Sequence, residues 1–171
     1  MSARSLRRVV AATASAALLA GAGLLAAAPA SAHATVQLYG STPAAGGYGA
    51  MWIRIGHGCD GSPTKKVEVT VPSTFGSAKP QQIAGWNSKV AVRADGSRLV
   101  TWTLKKGGAP LRDDEFADFG IAVKYPAAEG VYMVPTVQRC LVGSIAWNEE
   151  GPDSEHPAPT VTVGPGGGGG H

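Results

Sequence analysis

Short runs rich in Val, Ile, Thr, Tyr and Trp alternate with Gly, Pro, Asp and Ser, and a 3.6-residue apolar period is almost absent beyond residue 32. These observations predict an all-β protein, and about nine such runs within one domain-sized stretch predict a single immunoglobulin-like β-sandwich. In chain order the expected strands begin with Ala34 to Tyr39 and Tyr48 to Ile55, both dense in β-branched and aromatic residues. Lys66 to Val71 has the clearest alternation: Val67, Val69 and Val71 share one face, Lys66, Glu68 and Thr70 the other. Lys89 to Ala94 and Arg98 to Leu104 flank Asp95-Gly96, a dipeptide suited to a tight hairpin. Phe116 to Tyr125, Gly130 to Arg139, Gly143 to Asn148 and Thr160 to Val163 complete the set. The lysine pairs Lys65-Lys66 and Lys105-Lys106 lie near expected strand ends and read as solvated edges that discourage further pairing.

The two ends differ in kind from this domain. Residues 1–32 carry Arg4, Arg7 and Arg8, a long Ala/Leu/Gly run, then Ala-Pro-Ala-Ser-Ala, without an acidic residue. That is the pattern of a secretory signal peptide cleaved after Ala32, with a retained anchor as the alternative. At the other end, residues 164–171 are almost all glycine and offer little to bury, so a flexible Gly-rich tail is expected. The domain therefore spans residues 33–163. The given chain holds no second apolar span, and a membrane anchor beyond its end stays open.

The chain has 15 Lys+Arg against 12 Asp+Glu, and the three leader arginines account for the excess. The exported part is formally neutral and has no clustered basic face, which argues against nucleic acid as a partner. Its two cysteines, Cys59 and Cys140, form an even count in an oxidising compartment and are expected to pair. Closing a loop of about 80 residues would stabilise the fold by about 4 kcal/mol. A Cys/His metal site is the rival, because His57-Gly58-Cys59 sets an imidazole beside a thiol.

Cleavage after Ala32 would make His33 the first residue. A free terminal histidine offers its α-amine and Nδ1 to one metal ion in a chelate ring, and the amine, with an ordinary pKa near about 8, deprotonates readily under a Lewis acid. Nitrogen-rich tetragonal coordination suits Cu(II), and a carboxylate or second imidazole from another strand must complete the site.

From His33-Ala34-Thr35-Val36, the chain continues through Gly47-Tyr48, the stretch from His57 to Thr64, Lys66-Val67-Glu68-Val69, Gly85-Trp86 and Phe116-Ala117-Asp118-Phe119-Gly120. It then runs through Pro135-Thr136-Val137-Gln138-Arg139-Cys140 and Ala146-Trp147 to Pro157-Ala158-Pro159. In this order the motifs resemble the YcnI-like domain family of exported bacterial copper-binding proteins, and the His-Gly-Cys-Asp-Gly-Ser stretch resembles its actinobacterial branch, where the two cysteines pair. The resemblance implies a single-histidine brace: Cu(II) held by the amine and imidazole of His33 and the carboxylate of Glu68, with Trp147 beside the metal. Read without the family, Glu68 is an outward residue of a half-buried strand, with Glu149 or Glu150 as substitute carboxylates. Trp147 is then one of four tryptophans available as core filler. His57 reads as a loop residue, His156 as exposed and His171 as the end of the tail.

Two other readings stand beside this one. The opening His33 to Val36 with Ser41-Thr42-Pro43-Ala44-Ala45-Gly46 is similar to CopC-type copper carriers, but Asp95-Gly96 continues with Ser97 where those carriers are expected to supply histidine. A copper-dependent polysaccharide monooxygenase needs a second imidazole in the brace, for which His57 is the one candidate. A purely structural extracellular domain is the plain alternative. Asp113, Asp114, Glu115 and Asp118 resemble a solvated turn more than paired catalytic carboxylates, and no nucleophile elbow or phosphate loop is present. The expectation is a secreted, non-enzymatic Cu(II) carrier or store in copper homeostasis, partnered through resemblance with a membrane copper importer or another copper chaperone.

Overall fold

The computed structural model describes residues 33–151 and 153–166. The leader 1–32 and most of the Gly-rich tail, His171 included, lie outside the described residues. Among the described residues eleven strands form two antiparallel sheets and a ribbon. The four-stranded sheet has the order β1 (Thr35–Gln37), β2 (Tyr48–Ile55), β7 (Ala117–Lys124), β4 (Ser77–Pro80). The five-stranded sheet runs β10 (Ser144–Trp147), β9 (Thr136–Cys140), β3 (Thr64–Val71), β6 (Arg98–Leu104), β5 (Trp86–Val92). The ribbon joins β8 (Gly130–Met133) to β11 (Thr160–Val163). The all-β sandwich predicted from composition and alternation is the observed fold.

The core forms where the alternating apolar faces of the two sheets meet. Met51, Ile53 and Ile55 of β2 and Phe119, Ile121 and Val123 of β7 face Val67, Val69 and Val71 of β3 and Val100 and Trp102 of β6, all buried. Each such side chain removed from water contributes about 1.5–3 kcal/mol. Phe119 sits between two indoles, with ring centroids 5.3 Å from Trp86 and 5.4 Å from Trp102. The Trp102 N–H, which would be costly to bury unpaired, donates to the Gln81 carbonyl at 2.9 Å.

Three strands, β4, β8 and β9, differ from the expected pattern. The single run expected from Gly130 to Arg139 is two strands in different layers, β8 in the ribbon and β9 in the five-stranded sheet. Pro135 explains the break, because it lacks an amide hydrogen for a continuous ladder. The chain changes partner there: Val134 N donates to Pro159 O at 2.7 Å and Thr70 N to Pro135 O at 2.8 Å. Strand β4 lies in Ser77–Pro80, where small and polar residues give no apolar alternation, and it is fixed by pairing with β7. Gly164, expected to open the tail, is tied down by Gly164 N to Pro43 O at 2.9 Å and Ala45 N to Gly164 O at 3.0 Å.

Candidate metal centre

Strands β1 and β10 are the edges of different sheets, and the residues at their ends meet. His33 directly precedes the buried Ala34 and β1, and its imidazole packs against Trp147, the last residue of β10, with centroids 5.8 Å apart and planes tilted by 56°. Two further imidazoles approach the same indole edge-on, His57 at 6.1 Å and His156 at 5.2 Å. Trp147 is buried, and its N–H donates to Gln138 Oε1 at 3.1 Å. Gln138 is itself buried on β9, and its Nε2 donates to His57 O at 2.6 Å and Thr64 Oγ1 at 2.8 Å.

A cavity of about 560 Å³ opens beside this cluster, with His33, Met133 and Glu149 in its lining. Glu149 is placed by the loop that returns toward β11. Its amide donates to His156 O at 3.1 Å, its carbonyl accepts from Ala158 N at 2.9 Å, and its Oε2 accepts from His156 N at 2.9 Å. His156 Nδ1 is buried without a hydrogen-bond partner among the described residues. The expectation that His156 is simply exposed does not hold, because it is half-buried against Trp147.

Glu68 lies elsewhere. Pairing across the five-stranded sheet puts Val69, Thr136 and Trp147 in one row and Glu68, Val137 and Ala146 in the next. Successive residues of a strand face opposite sides, so Glu68 and Trp147 are on opposite faces of the sheet. Glu68 is occupied there by Lys66 Nζ at 2.8 Å and Arg139 Nε at 2.5 Å. Burial pushes its pKa up, but the hydrogen bonds from Lys66 and Arg139 outweigh that and hold the carboxyl below its ordinary range. The expectation that Glu68 completes a site with His33 therefore meets a geometric obstacle. The structure brings Glu149, the substitute carboxylate, to the cavity that His33 lines.

Cys59 and Cys140 form a disulfide with Cα atoms 6.0 Å apart, which removes both sulfurs from metal binding and leaves the Cys/His alternative without a thiolate. His57, next to this bridge, brings its Nδ1 to Gly58 O at 2.5 Å. Two members of the acidic cluster have fixed partners, Asp113 in a loop and Asp118 across the β2–β7 pair rather than in a turn. Asp113 Oδ1 accepts from Gly58 N at 2.9 Å, and Asp118 forms a bidentate pair with Arg54, both contacts at 2.8 Å.

Among the described residues no three His, Cys, Asp or Glu side chains gather tightly enough to hold a metal. A terminal-histidine brace does not require such a trio. One residue would supply both nitrogens, and a single carboxylate would supply the oxygen. His33 and Glu149 line one cavity, and Glu68 is not in its lining. By pattern Glu149 and Glu150 are equal substitutes, and the chain's return toward β11, which no local pattern encodes, sets Glu149 in the cavity lining.

Among the described residues no helix is long and apolar enough to cross a membrane. No curated protein matches the chain. A solved structure of an uncharacterized protein from Nocardia farcinica, described as having an immunoglobulin-like fold, is similar, with 29% identity and a TM-score of 0.66 over 77% of this chain and 97% of that one. Residues 33–163 match the model of the domain of unknown function DUF1775. On that match over the whole sandwich, the chain belongs to the DUF1775 family, the YcnI-like group whose motifs it carries.

Proposed function

We propose that this protein is an exported Cu(II) carrier or store that holds its cargo at His33. The α-amine and imidazole of His33 chelate the ion once the leader is removed, and Glu149 supplies a carboxylate from the lining of the same cavity. The observation that carries this reading is the presence of His33 and Glu149 in one cavity, with the Trp147 ring against the His33 imidazole. Nitrogen and oxygen donors of this kind suit Cu(II), and an indole beside them excludes water from one side. The disulfide fits an oxidising compartment outside the cytoplasm. A carrier of this type would pass copper to a membrane importer or a second chaperone.

The test is Cu(II) titration of protein whose chain starts at His33, followed by paramagnetic resonance. One equivalent in a nitrogen-rich tetragonal site is expected. His33→Ala, or one extra residue before His33, should abolish tight binding, because each removes the two-point chelate. Glu149→Gln should weaken binding and alter the spectrum, while Glu68→Gln leaves both unchanged. Unaltered affinity in the extended protein defeats the reading, and an effect confined to Glu68→Gln moves the carboxylate back to β3.

A further inference from the structure

The cavity at His33 contains a donor that Cu(II) does not need. Of the methionines, Met51 is fully buried in the core, whereas Met133 stands at the end of β8 and lines the cavity together with His33 and Glu149. Strand alternation fixes its side. Tyr132, the residue before it, packs into the core against Phe75 with centroids 5.8 Å apart, so Val131 and Met133 face the other way, and both line the cavity. Met133 is half-buried but takes no part in the core cluster. Its placement is therefore not explained by packing of the sandwich.

A thioether is a soft, polarizable ligand that selects Cu(I), while the amine and carboxylate are hard donors suited to Cu(II). His33 imidazole serves either ion. We infer that the same cavity also binds monovalent copper, with His33 and the Met133 thioether as ligands and Glu149 released from the metal. The site would then accept its cargo in either oxidation state by exchanging an oxygen donor for a sulfur donor on one histidine. No electron transfer by the protein is involved; each ion is taken up as supplied. The inference rests on the copper reading of this cavity, but the two fail by different measurements.

The experiment uses protein beginning at His33, titrated under nitrogen with Cu(I) against a chromogenic chelator, and in parallel with Ag(I) as a soft ion that does not change oxidation state. Methyl-labelled methionine reports the ligand directly, and the Met133 Cε resonance should shift on adding Ag(I) while that of Met51 stays in place. Met133→Leu conserves volume and should fold normally. It is expected to lose at least about tenfold in Cu(I) affinity, no less than a supporting group contributes, and to keep its Cu(II) affinity. Glu149→Gln should show the opposite pattern. Equal Cu(I) affinity in Met133→Leu, or an unmoved Met133 methyl signal, overturns the assignment. Tight Cu(I) binding without Cu(II) binding would defeat the carrier reading above and leave this one standing.

Discussion

The N–H of Trp147 donates to the side-chain oxygen of Gln138 at 3.1 Å, and the amide nitrogen of Gln138 donates to the backbone of His57 and to Thr64. One buried amide thus fixes the indole against which His33, His57 and His156 pack. Its own polar atoms are satisfied, which is the condition under which a buried network rigidifies a core. Replacing Gln138 by leucine removes the acceptor of the Trp147 N–H and the side-chain donor to the His57 carbonyl. A loss of about 1–3 kcal/mol in urea unfolding is expected. Tryptophan emission of the folded variant should also change, because the indole loses its acceptor. A variant as stable as the parent would show that Gln138 does not hold the cluster together.

The disulfide joins residues 81 apart in sequence. Its main effect is on the unfolded chain, which loses the entropy of an open loop of that size, so replacing both cysteines by alanine should lower stability by about 4 kcal/mol. Urea unfolding of the double variant beside the oxidised parent checks this. The sandwich itself, whose main apolar cluster does not include the two cysteines, should still form. If the variant were unfolded without denaturant, the core would be contributing less than its burial suggests.

Much of this fold was legible because it follows local rules. Strands β2 and β6 fall at Tyr48–Ile55 and Arg98–Leu104, as their β-branched and aromatic content predicts, and the alternation of Val67, Val69 and Val71 buries them together. Gly96 takes positive φ in the hairpin that Asp95-Gly96 announces, with Asp95 Oδ1 accepting from Ser97 N at 2.9 Å. A second Asp-Gly pair, Asp60-Gly61, makes an equally tight turn between Cys59 and Ser62 and was open to the same reading. The candidate site was only half legible. His33 announces itself by following a leader, and Trp147 by its motif. Glu149 and Met133 come to the cavity that His33 lines, and His156 to Trp147, through the packing of loops and a ribbon distant in sequence, while strand parity within the five-stranded sheet turns Glu68 to the face opposite Trp147.

Acid should unfold the protein partly through Asp118. Two hydrogen bonds from Arg54 hold its carboxyl below the ordinary range against the opposing effect of burial, and Tyr39 OH adds a third. A carboxyl whose folded pKa is lowered contributes stability that is complete above its unfolded value of about 3.9 and is lost as the pH falls through the folded value. Thermal unfolding from neutral to strongly acidic pH should therefore show stability falling below about pH 4. Asp118→Asn should be less stable near neutrality by about 1 kcal/mol, a modest figure because the pair is partly solvated, and should show a shallower acid slope. Equal slopes in parent and variant would remove Asp118 from the acid response.

Gly58 is required for a steric reason that separates it from the glycine three residues on. A methyl group at Gly58 would lie 2.3 Å from the carbonyl oxygen of Ser62 and 2.9 Å from Asp113 Oδ1. The carbonyl cannot withdraw, since it accepts from Cys59 N at 2.9 Å while Ser62 N donates back to Cys59 O at 2.9 Å, and Cys59 is anchored by its disulfide. Asp113 is held in turn by Gly58 N. Gly58→Ala must therefore displace backbone, at a cost of about 1–3 kcal/mol or more. Gly61 sits in the same turn at φ 81° with open space around it, so Gly61→Ala meets only the left-handed backbone penalty of about 1–2 kcal/mol. Gly58→Ala should also shift the His57 backbone that Gln138 grips, and so disturb Trp147 emission, which Gly61→Ala should leave alone. Urea unfolding and fluorescence of the two variants side by side test this. A Gly58→Ala protein with parental stability and emission would mean that the turn yields where its hydrogen bonds say it cannot.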